Sequence, residues 1–344
     1  MTLNRRRLLH VAAAALAAPA ALRPGRARAA ERLRLHHMSP TVSNIHTHVI
    51  APWAEKIEAA SNGELSIRIF PSLQLGGSPP QLFDQARDGV VDIIWTLPGY
   101  TAGRFPSLDV FELPFVASSS GVVNSKAVQE FAQTRAQEDL REVQLLFSWA
   151  NDQGVIHADR PIHKLEDLQG AKIRFPTRYT GEALGMLGAS PIGIPAPQVP
   201  ESLAQGVING AILPWEVVPS LKVDELVGHH TEFPGSPNFY TSTHVVVMNK
   251  ERYDGLPAEL RQVLDENSGM SAAEMAGNAV VSAGNEARAQ AEQRGNEIFV
   301  MSEEETARWR EATRPVVDAW LQATPNGEQL LEEARALLDK HGQA

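Results

Sequence analysis

The chain has 344 residues, which is too long for most single hydrophobic cores, so its length predicts two domains. Its formal net charge of -10 argues against nucleic acid as a partner, because phosphate binding needs clustered lysine and arginine. The absence of cysteine excludes disulfides, thiolate nucleophiles and cysteine-ligated metal sites.

The N-terminus has the pattern of an export signal. Three arginines, Arg5 to Arg7, precede an apolar run from Val11 to Leu22, and Ala27-Arg28-Ala29 provides a small-residue cleavage site. The apolar run is shorter than the roughly 20 residues that a membrane-spanning helix needs. We therefore expect residues 1–29 to be a signal peptide and the mature chain to be periplasmic. The paired arginines before Leu8 favour the twin-arginine pathway, with an ordinary Sec signal as the alternative.

The next part of the chain alternates strand and helix patterns. Residues 33–38, 65–70 and 90–97 predict strands, and residues 44–60 and 79–88 predict helices. The third strand is almost continuously apolar, which is typical of a strand covered on both faces. This order predicts an α/β domain with largely parallel strand pairing.

A Gly- and Pro-rich loop over residues 98–114, a helix over residues 125–142 and a strand over residues 143–149 follow. A second α/β pattern begins near Asp152. Its predicted elements are strands over residues 154–158, 171–175 and 211–213 and helices over residues 181–187 and 199–205.

The apolar strand over residues 244–248 is expected to return to the first domain. Residues 258–293 are rich in Ala, Glu and Gln and predict one helix of about 50 Å, long enough to cross both domains. Two terminal helices are predicted over residues 303–313 and 327–341.

The sequence contains no motif typical of catalysis. It has no G-x-S-x-G elbow, no Walker loop, no G-x-G-x-x-G after a strand and no H-E-x-x-H. The densest histidine group is His36, His37, His46 and His48, and no acidic residue lies at ligand spacing from it. We therefore expect no catalytic residue, no metal site and no cofactor.

The segment from Gly170 to Pro176 is the most informative about binding. Arg174 lies at the end of a predicted strand, just before a loop. In α/β folds, ligands gather beyond the carboxyl ends of strands, where an arginine can form a bidentate pair with a carboxylate. Judged by residue type alone, a structural ion pair is the stronger interpretation of Arg174.

Aromatic side chains lie at several predicted strand ends. Flat side chains around one charged anchor are typical of a small-molecule site. Packing in the core is the competing interpretation for each of them. The candidates are Trp95, Tyr100, Phe175, Tyr179 and Trp215.

Six segments occur in order along the mature chain: Phe70 to Gly77, Asp88 to Ile93, Gly103 to Pro106 with Glu112 to Phe115, Leu165 to Arg174, Gln205 to Ala211, and Val247 to Lys250. Together they resemble the extracytoplasmic solute receptors of tripartite ATP-independent periplasmic (TRAP) transporters, the DctP family. The resemblance implies an α/β fold of two lobes, joined by hinge strands and a long lobe-spanning helix, that closes on its ligand.

We place lobe I at residues 30–152 and 241–280, and lobe II at residues 153–240 and 281–344. The resemblance implies that Arg174 binds the carboxylate of a small organic acid. It also implies a partner in the membrane, a permease of one small and one large subunit that an ion gradient drives. Thr177 or backbone amides are expected to supply further donors to the carboxylate.

The chain departs from receptors of polar acids in two places. Gly210 to Trp215 is apolar where sugar-acid receptors often carry a polar side chain, and the second basic residue expected near residues 154–158 is not obvious. His157 is the nearest candidate for it. An apolar or aromatic monocarboxylate is therefore our hypothesis, while Glu216 leaves a cationic amine, and hence an amino acid, open.

Two other functions compete with transport. A periplasmic enzyme could use the same cleft, although the missing catalytic motifs count against it. A ligand-sensing protein for a membrane receptor is not separated from a transport receptor by the sequence.

Overall fold

The computed structural model describes residues 30–343, so the predicted signal peptide at residues 1–29 lies outside the described residues. Within them, eleven strands form two β-sheets, and helices cover the sheets. None of the helices in this part of the chain is long and apolar enough to cross a membrane.

The first sheet has five strands. They are β1 (Glu31–His36), β2 (Leu65–Phe70), β3 (Ile93–Thr96), β4 (Val143–Ala150) and β10 (Thr243–Asn249). Their order is β2-β1-β3-β10-β4. β1 runs parallel to β2 and β3, as predicted for the first α/β pattern, and β10 runs antiparallel to β3 and β4. The strand after the second α/β pattern therefore does return to the first sheet.

The second sheet has six strands. They are β5 (Gly154–Ala158), β6 (Lys172–Phe175), β7 (Ser190–Gly193), β8 (Gly210–Pro214), β9 (His229–Glu232) and β11 (Glu297–Val300). Their order is β11-β9-β5-β8-β6-β7. β6 lies between β7 and β8 and is parallel to both, which places Arg174 in the interior of the sheet rather than at its edge.

The helices pack on the faces of the sheets. They are α1 (Ala51–Ala60), α2 (Leu82–Arg87), α3 (Gly121–Thr134), α4 (Arg178–Met186), α5 (Val199–Ala204), α6 (Val218–Leu221), α7 (Val223–Leu226), α8 (Lys250–Asp254), α9 (Ala258–Glu266), α10 (Gly269–Gln293), α11 (Glu303–Ala323) and α12 (Gly327–Gly342).

The single helix predicted over residues 258–293 is wrong. The chain breaks between α9 and α10, where Ser268 is extended and Gly269 has a left-handed backbone with φ of 61°. Asn, Ser and Gly favour such breaks, and the Trp53 indole holds this one by donating a hydrogen bond of 3.0 Å to the Asn267 carbonyl. α10 alone spans about 38 Å at 1.5 Å per residue.

α10 connects the two sheets. It packs against α3 and β4 on the first sheet and against the short 3-10 turn Trp215–Val217 that follows β8 on the second. This contact pattern agrees with the predicted lobe-spanning helix.

The chain crosses between the sheets where β4 leads to β5 and where β9 leads to β10. The two crossings run side by side: the Asn151 amide donates to the Ser242 carbonyl at 3.2 Å, and the Gly154 amide donates to the Tyr240 carbonyl at 2.8 Å. The candidate site lies beside these crossings. The residue numbers of the lobe boundaries stay a prediction.

Candidate functional site

A cleft lies beside the crossing strands. Both sheets contribute to the lining. Most of the lining is apolar or aromatic: Met38, Ile45, Trp95, Leu97, Tyr100, Pro176, Ile212, Leu213, Pro214, Val217 and Tyr240.

Arg174 lies in this cleft, and its side chain is only 1% exposed. Its Nε donates to the Ile194 carbonyl at 2.8 Å and its Nη1 donates to the Ile212 carbonyl at 3.0 Å. These bonds fix the plane of the guanidinium and leave Nη2 uncommitted to a backbone carbonyl.

No acidic side chain within residues 30–343 lies within ion-pair distance of Arg174. The structural ion pair, which residue type alone favoured, is therefore not what holds this arginine. Burial lowers the pKa of Arg174, and the neighbouring Tyr100 and Tyr240 oppose that change. Arginine keeps its proton even so, and a buried cation is stabilised by an anion brought close to it.

Two tyrosines stand beside the guanidinium. The Tyr100 hydroxyl accepts a 3.1 Å hydrogen bond from the Ala196 amide, which joins the segment after β3 to the segment after β7. Burial raises the pKa of Tyr240 well above its ordinary value, and Arg174 opposes that rise. Tyr240 therefore stays protonated, so its hydroxyl can donate to an oxygen bound at Arg174.

One wall of the cleft is an aromatic stack. The Trp149 and His244 rings are parallel within 3° at 4.7 Å, and Trp95 lies 6.0 Å from His244. The Trp95 Nε1 donates to His244 Nδ1 at 3.2 Å. On the other side of Trp95, the His37 ring lies at 5.1 Å, and His37 Nε2 is 2.9 Å from His46 Nδ1. Half of the histidine group is thus part of the packing behind the cleft.

Glu216 also lines the cleft and is buried. Burial raises its pKa to about 7, and hydrogen bonds from Asn44 and Asn151 work against that rise. The Asn151 Nδ2 lies 3.5 Å from the Glu216 Oε1. Near neutral pH this carboxyl is therefore only partly ionised, which makes it a weak anchor for a cationic amine.

Two of the predicted site residues on or after β6 lie outside the cleft lining. Phe175 follows Arg174 directly, so strand alternation turns it to the opposite face, where it packs over Gly181 and Gly193. There it borders a separate outer groove. Tyr179 lies in α4 near Asp109, and burial together with that carboxylate raises its pKa to about 12.

Trp215 and His157 also lie outside the lining, within the core of the second sheet. The Trp215 Nε1 donates to Glu232 Oε1 at 2.8 Å, and its ring meets His157 edge-on at 5.0 Å. His157 is fully buried between the His230 Nδ1, at 2.8 Å, and the Leu213 carbonyl, at 3.1 Å. Burial lowers its pKa well below the ordinary value, so His157 is uncharged and does not act as a second cation.

Sequence reasoning missed six polar residues of the cleft, which are Ser39, Ser43, Asn151, Tyr240, Ser242 and His244. Tyr240 lies in an irregular segment with no periodic pattern. His244 and Asn151 stand at the ends of two predicted apolar strands, and a polar residue at such an end was the available signal. Within residues 30–343, no three His, Asp or Glu side chains are grouped to hold a metal ion.

A family model described as bacterial extracellular solute-binding protein, family 7 (DctP) matches residues 35–323. Solved structures agree with it. A TRAP solute-binding protein from Rhodoferax ferrireducens T118, in complex with copurified benzoate, is 41% identical with a TM-score of 0.87, over 91% of this chain and 98% of that one.

A marine metagenome TRAP solute-binding protein specific for aromatic acid ligands, in complex with 3-hydroxybenzoate, is 39% identical with a TM-score of 0.88, over 91% of this chain and 99% of that one. A TRAP periplasmic solute-binding protein from Bordetella bronchiseptica, with bound (R)- and (S)-mandelate, is 29% identical with a TM-score of 0.83, over 90% of this chain and 99% of that one.

These matches confirm the predicted fold class and the family resemblance. Because the family model covers more than half of the residues, this chain belongs to the bacterial extracellular solute-binding protein family 7, the DctP family.

Proposed function

We propose that this chain is a periplasmic receptor that captures an aromatic or apolar monocarboxylate and delivers it to a TRAP permease. The observation that carries the proposal is Arg174, a buried guanidinium that has no acidic partner among the described residues and faces a cleft with aromatic walls. A bound carboxylate would supply the missing anion and accept a charge-assisted hydrogen bond from Nη2.

The charges in the cleft favour a single carboxylate. Among the described residues that line it, Arg174 is the only lysine or arginine, and Glu216 is the only aspartate or glutamate. A dicarboxylate would have to place its second charge against apolar side chains or near Glu216. Either position costs desolvation or repulsion without a compensating cation.

The shape and chemistry of the walls favour a flat apolar body. Trp95, Tyr100 and Leu213 offer surfaces on which a ring can pack, and aromatic pairs add about 0.5–1.5 kcal/mol to the burial of area. The Rhodoferax ferrireducens relative holds benzoate and the marine metagenome relative is specific for aromatic acids, and both support the same ligand class here.

Export and delivery are part of the proposal. The N-terminal signal pattern, cleaved after Ala29, would place the mature chain in the periplasm. There the loaded receptor would dock on the small and large membrane subunits of its permease. The matched relatives are solute-binding proteins, which favours a receptor over an enzyme that uses the same cleft.

Thermal unfolding of the mature chain against a ligand panel tests the substrate class. The panel pairs benzoate, phenylacetate and mandelate with succinate, glucuronate and benzylamine. A ligand at 100 times its Kd adds about 2.7 kcal/mol to the free energy of unfolding, so we expect a clear rise in Tm with the aromatic acids only.

A rise with succinate, glucuronate or benzylamine, and none with the aromatic acids, would overturn the proposed ligand class. Recovery of the bound acid by mass spectrometry after prolonged incubation tests the enzyme alternative. The unchanged acid is expected, and a product of altered mass would mean that the cleft carries out a reaction.

A further inference from the structure

The cleft contains a donor and an acceptor that the carboxylate site does not use. His244 Nε2 and Asn151 Oδ1 are both buried, both belong to residues that line the cleft, and neither has a hydrogen-bond partner among residues 30–343. The two residues are only 5% and 2% exposed. A buried polar atom without a partner costs free energy, so a native site that keeps two of them is suited to a ligand that satisfies both.

The hydrogen bonds around His244 decide which of its nitrogens is the donor. An indole N–H can only donate, so the Trp95 bond at 3.2 Å makes His244 Nδ1 an acceptor. The proton of the neutral ring is then on Nε2. Burial lowers the pKa of His244 to about 3, so the ring stays neutral and its Nε2–H remains a single, fixed donor at physiological pH.

The orientation of Asn151 is set by Glu216. Its Nδ2 points to the Glu216 Oε1 at 3.5 Å, and this leaves Oδ1 as a buried acceptor without a partner among residues 30–343. The Asn151 backbone is held at the same time, because its carbonyl accepts from Thr241 Oγ1 at 2.7 Å and from Asn124 Nδ2 at 2.8 Å.

Strand register brings His244 and Asn151 close together. His244 is paired with Trp149 across β10 and β4, and Asn151 lies two residues beyond Trp149, bonded through its amide to the Ser242 carbonyl. Asn151 and His244 are therefore diagonal neighbours on one face, a spacing of about 7–8 Å that side chains bridge readily.

A hydroxyl of the ligand can accept from His244 Nε2 and donate to Asn151 Oδ1 through one oxygen. A carboxylate, ether or carbonyl oxygen would satisfy His244 and leave Asn151 unpaired, and an ammonium would do the reverse. We infer that the preferred ligand carries a hydroxyl in addition to its carboxylate, and that His244 and Asn151 recognise this hydroxyl while Arg174 holds the carboxylate. The inference rests on the proposed function and narrows its ligand class to hydroxylated aromatic acids.

Calorimetric titration with matched pairs of acids tests the inference. Benzoate is compared with its 2-, 3- and 4-hydroxy derivatives, and phenylacetate with its 3- and 4-hydroxy derivatives. A site built to bond a hydroxyl discriminates strongly against the analogue that lacks it, so at least one hydroxylated acid is expected to bind about tenfold or more tightly than its parent.

Two variants connect this preference to the two residues. His244→Phe keeps a ring stacked on Trp149 but removes the N–H, and Asn151→Leu keeps the volume but removes the acceptor. Each is expected to bring the affinity ratio of the pair to within about twofold of one, and circular dichroism of the ligand-free variants reports whether they are folded. His163→Phe is the matched control, because His163 is half-buried and its ring contacts Phe299 outside the cleft.

Three outcomes separate this inference from the proposed function. If the wild type binds the parent acids as tightly as every hydroxylated one, the hydroxyl site is wrong and the receptor proposal stands. The same holds if His244→Phe and Asn151→Leu both keep the preference. If the wild type binds none of these acids, the proposed ligand class fails, and the hydroxyl site fails with it.

Discussion

Arg174 is held by two backbone carbonyls and not by a carboxylate. Carbonyl bonds orient a guanidinium but do not neutralise it, so the charge remains available to a ligand in a largely apolar cleft. The same low polarity that makes the unliganded arginine unfavourable strengthens its attraction for an anion. This combination is what a high-affinity receptor for a small acid requires.

Glu216 is predicted to lower stability as the pH rises. Its pKa is about 7 in the folded chain against 4.5 ordinarily, so the folded state binds more protons between these values and the free energy of unfolding falls across that window. Glu216→Gln removes this titration. We expect the variant to be more stable than the wild type by roughly 1–3 kcal/mol at pH 8 and to show little difference at pH 4.

Urea unfolding at the two pH values measures this difference. Burial also raises the pKa of Glu112 to about 7. Because Glu112 is present in both proteins, its titration changes both stabilities equally and does not affect their difference. If the variant and the wild type were equally stable at pH 8, the pKa of Glu216 would not be raised in the folded chain.

At the scale of residues, the sequence identified part of the cleft. Arg174, Trp95, Tyr100 and Glu216 line it. The other four predicted residues do not, because a one-residue step along a strand reverses the face and periodicity does not tell which face meets the second lobe. His244 and Asn151 become significant only through the pairing of β10 with β4, which is a long-range contact.

At the scale of elements, α10 packs tightly against α3. A Cβ built on Gly277 would be 2.9 Å from the Val122 Cα and 3.0 Å from the Gly121 carbonyl, and neither backbone atom can move aside easily. Alanine normally favours a helix over glycine by about 1 kcal/mol. Here we expect Gly277→Ala to destabilise the protein by about 1–3 kcal/mol, because the overpacking exceeds that gain.

Urea unfolding of Gly277→Ala beside Asn278→Ala checks the packing argument. Asn278 is the exposed neighbour on the same helix, so its substitution should be neutral or slightly stabilising. A Gly277→Ala protein as stable as the wild type would show that the two helices are not in tight contact.

The order of elements was largely predictable, and their ends were not. The helix predicted to begin at residue 125 begins at Gly121, because the Ser120 Oγ accepts from the Val123 amide and caps it there. The break before α10 has a local signal in Asn267-Ser268-Gly269, but the Trp53 bond that holds it comes from more than 200 residues away in sequence.

At the scale of the whole molecule, one apolar cluster joins the two sheets. It contains Ile94 of the first sheet, Ile156 and Ile173 of the second, and Trp309 of α11. The last helix strengthens the connection, since Lys340 of α12 bonds Glu130 of α3 at 2.7 Å. α12 belongs to predicted lobe II by its residue number, and it packs on a helix of predicted lobe I.

A shared core predicts that the two lobes unfold together. Differential scanning calorimetry of the mature chain should show one transition whose calorimetric and van't Hoff enthalpies agree. Two resolved transitions would contradict this and would indicate lobes that fold independently.

The central claim is that Arg174 anchors an aromatic carboxylate, and calorimetric titration of benzoate into Arg174→Gln tests it most directly. Glutamine keeps hydrogen-bond donors but removes the charge, so we expect the Kd to rise at least about 30-fold. Arg178→Gln is the matched control, because Arg178 is exposed and paired with Glu182 at 2.7 Å, and its Kd should match that of the wild type. An Arg174→Gln protein that is fully folded by circular dichroism and binds benzoate within about threefold of the wild type would contradict the account.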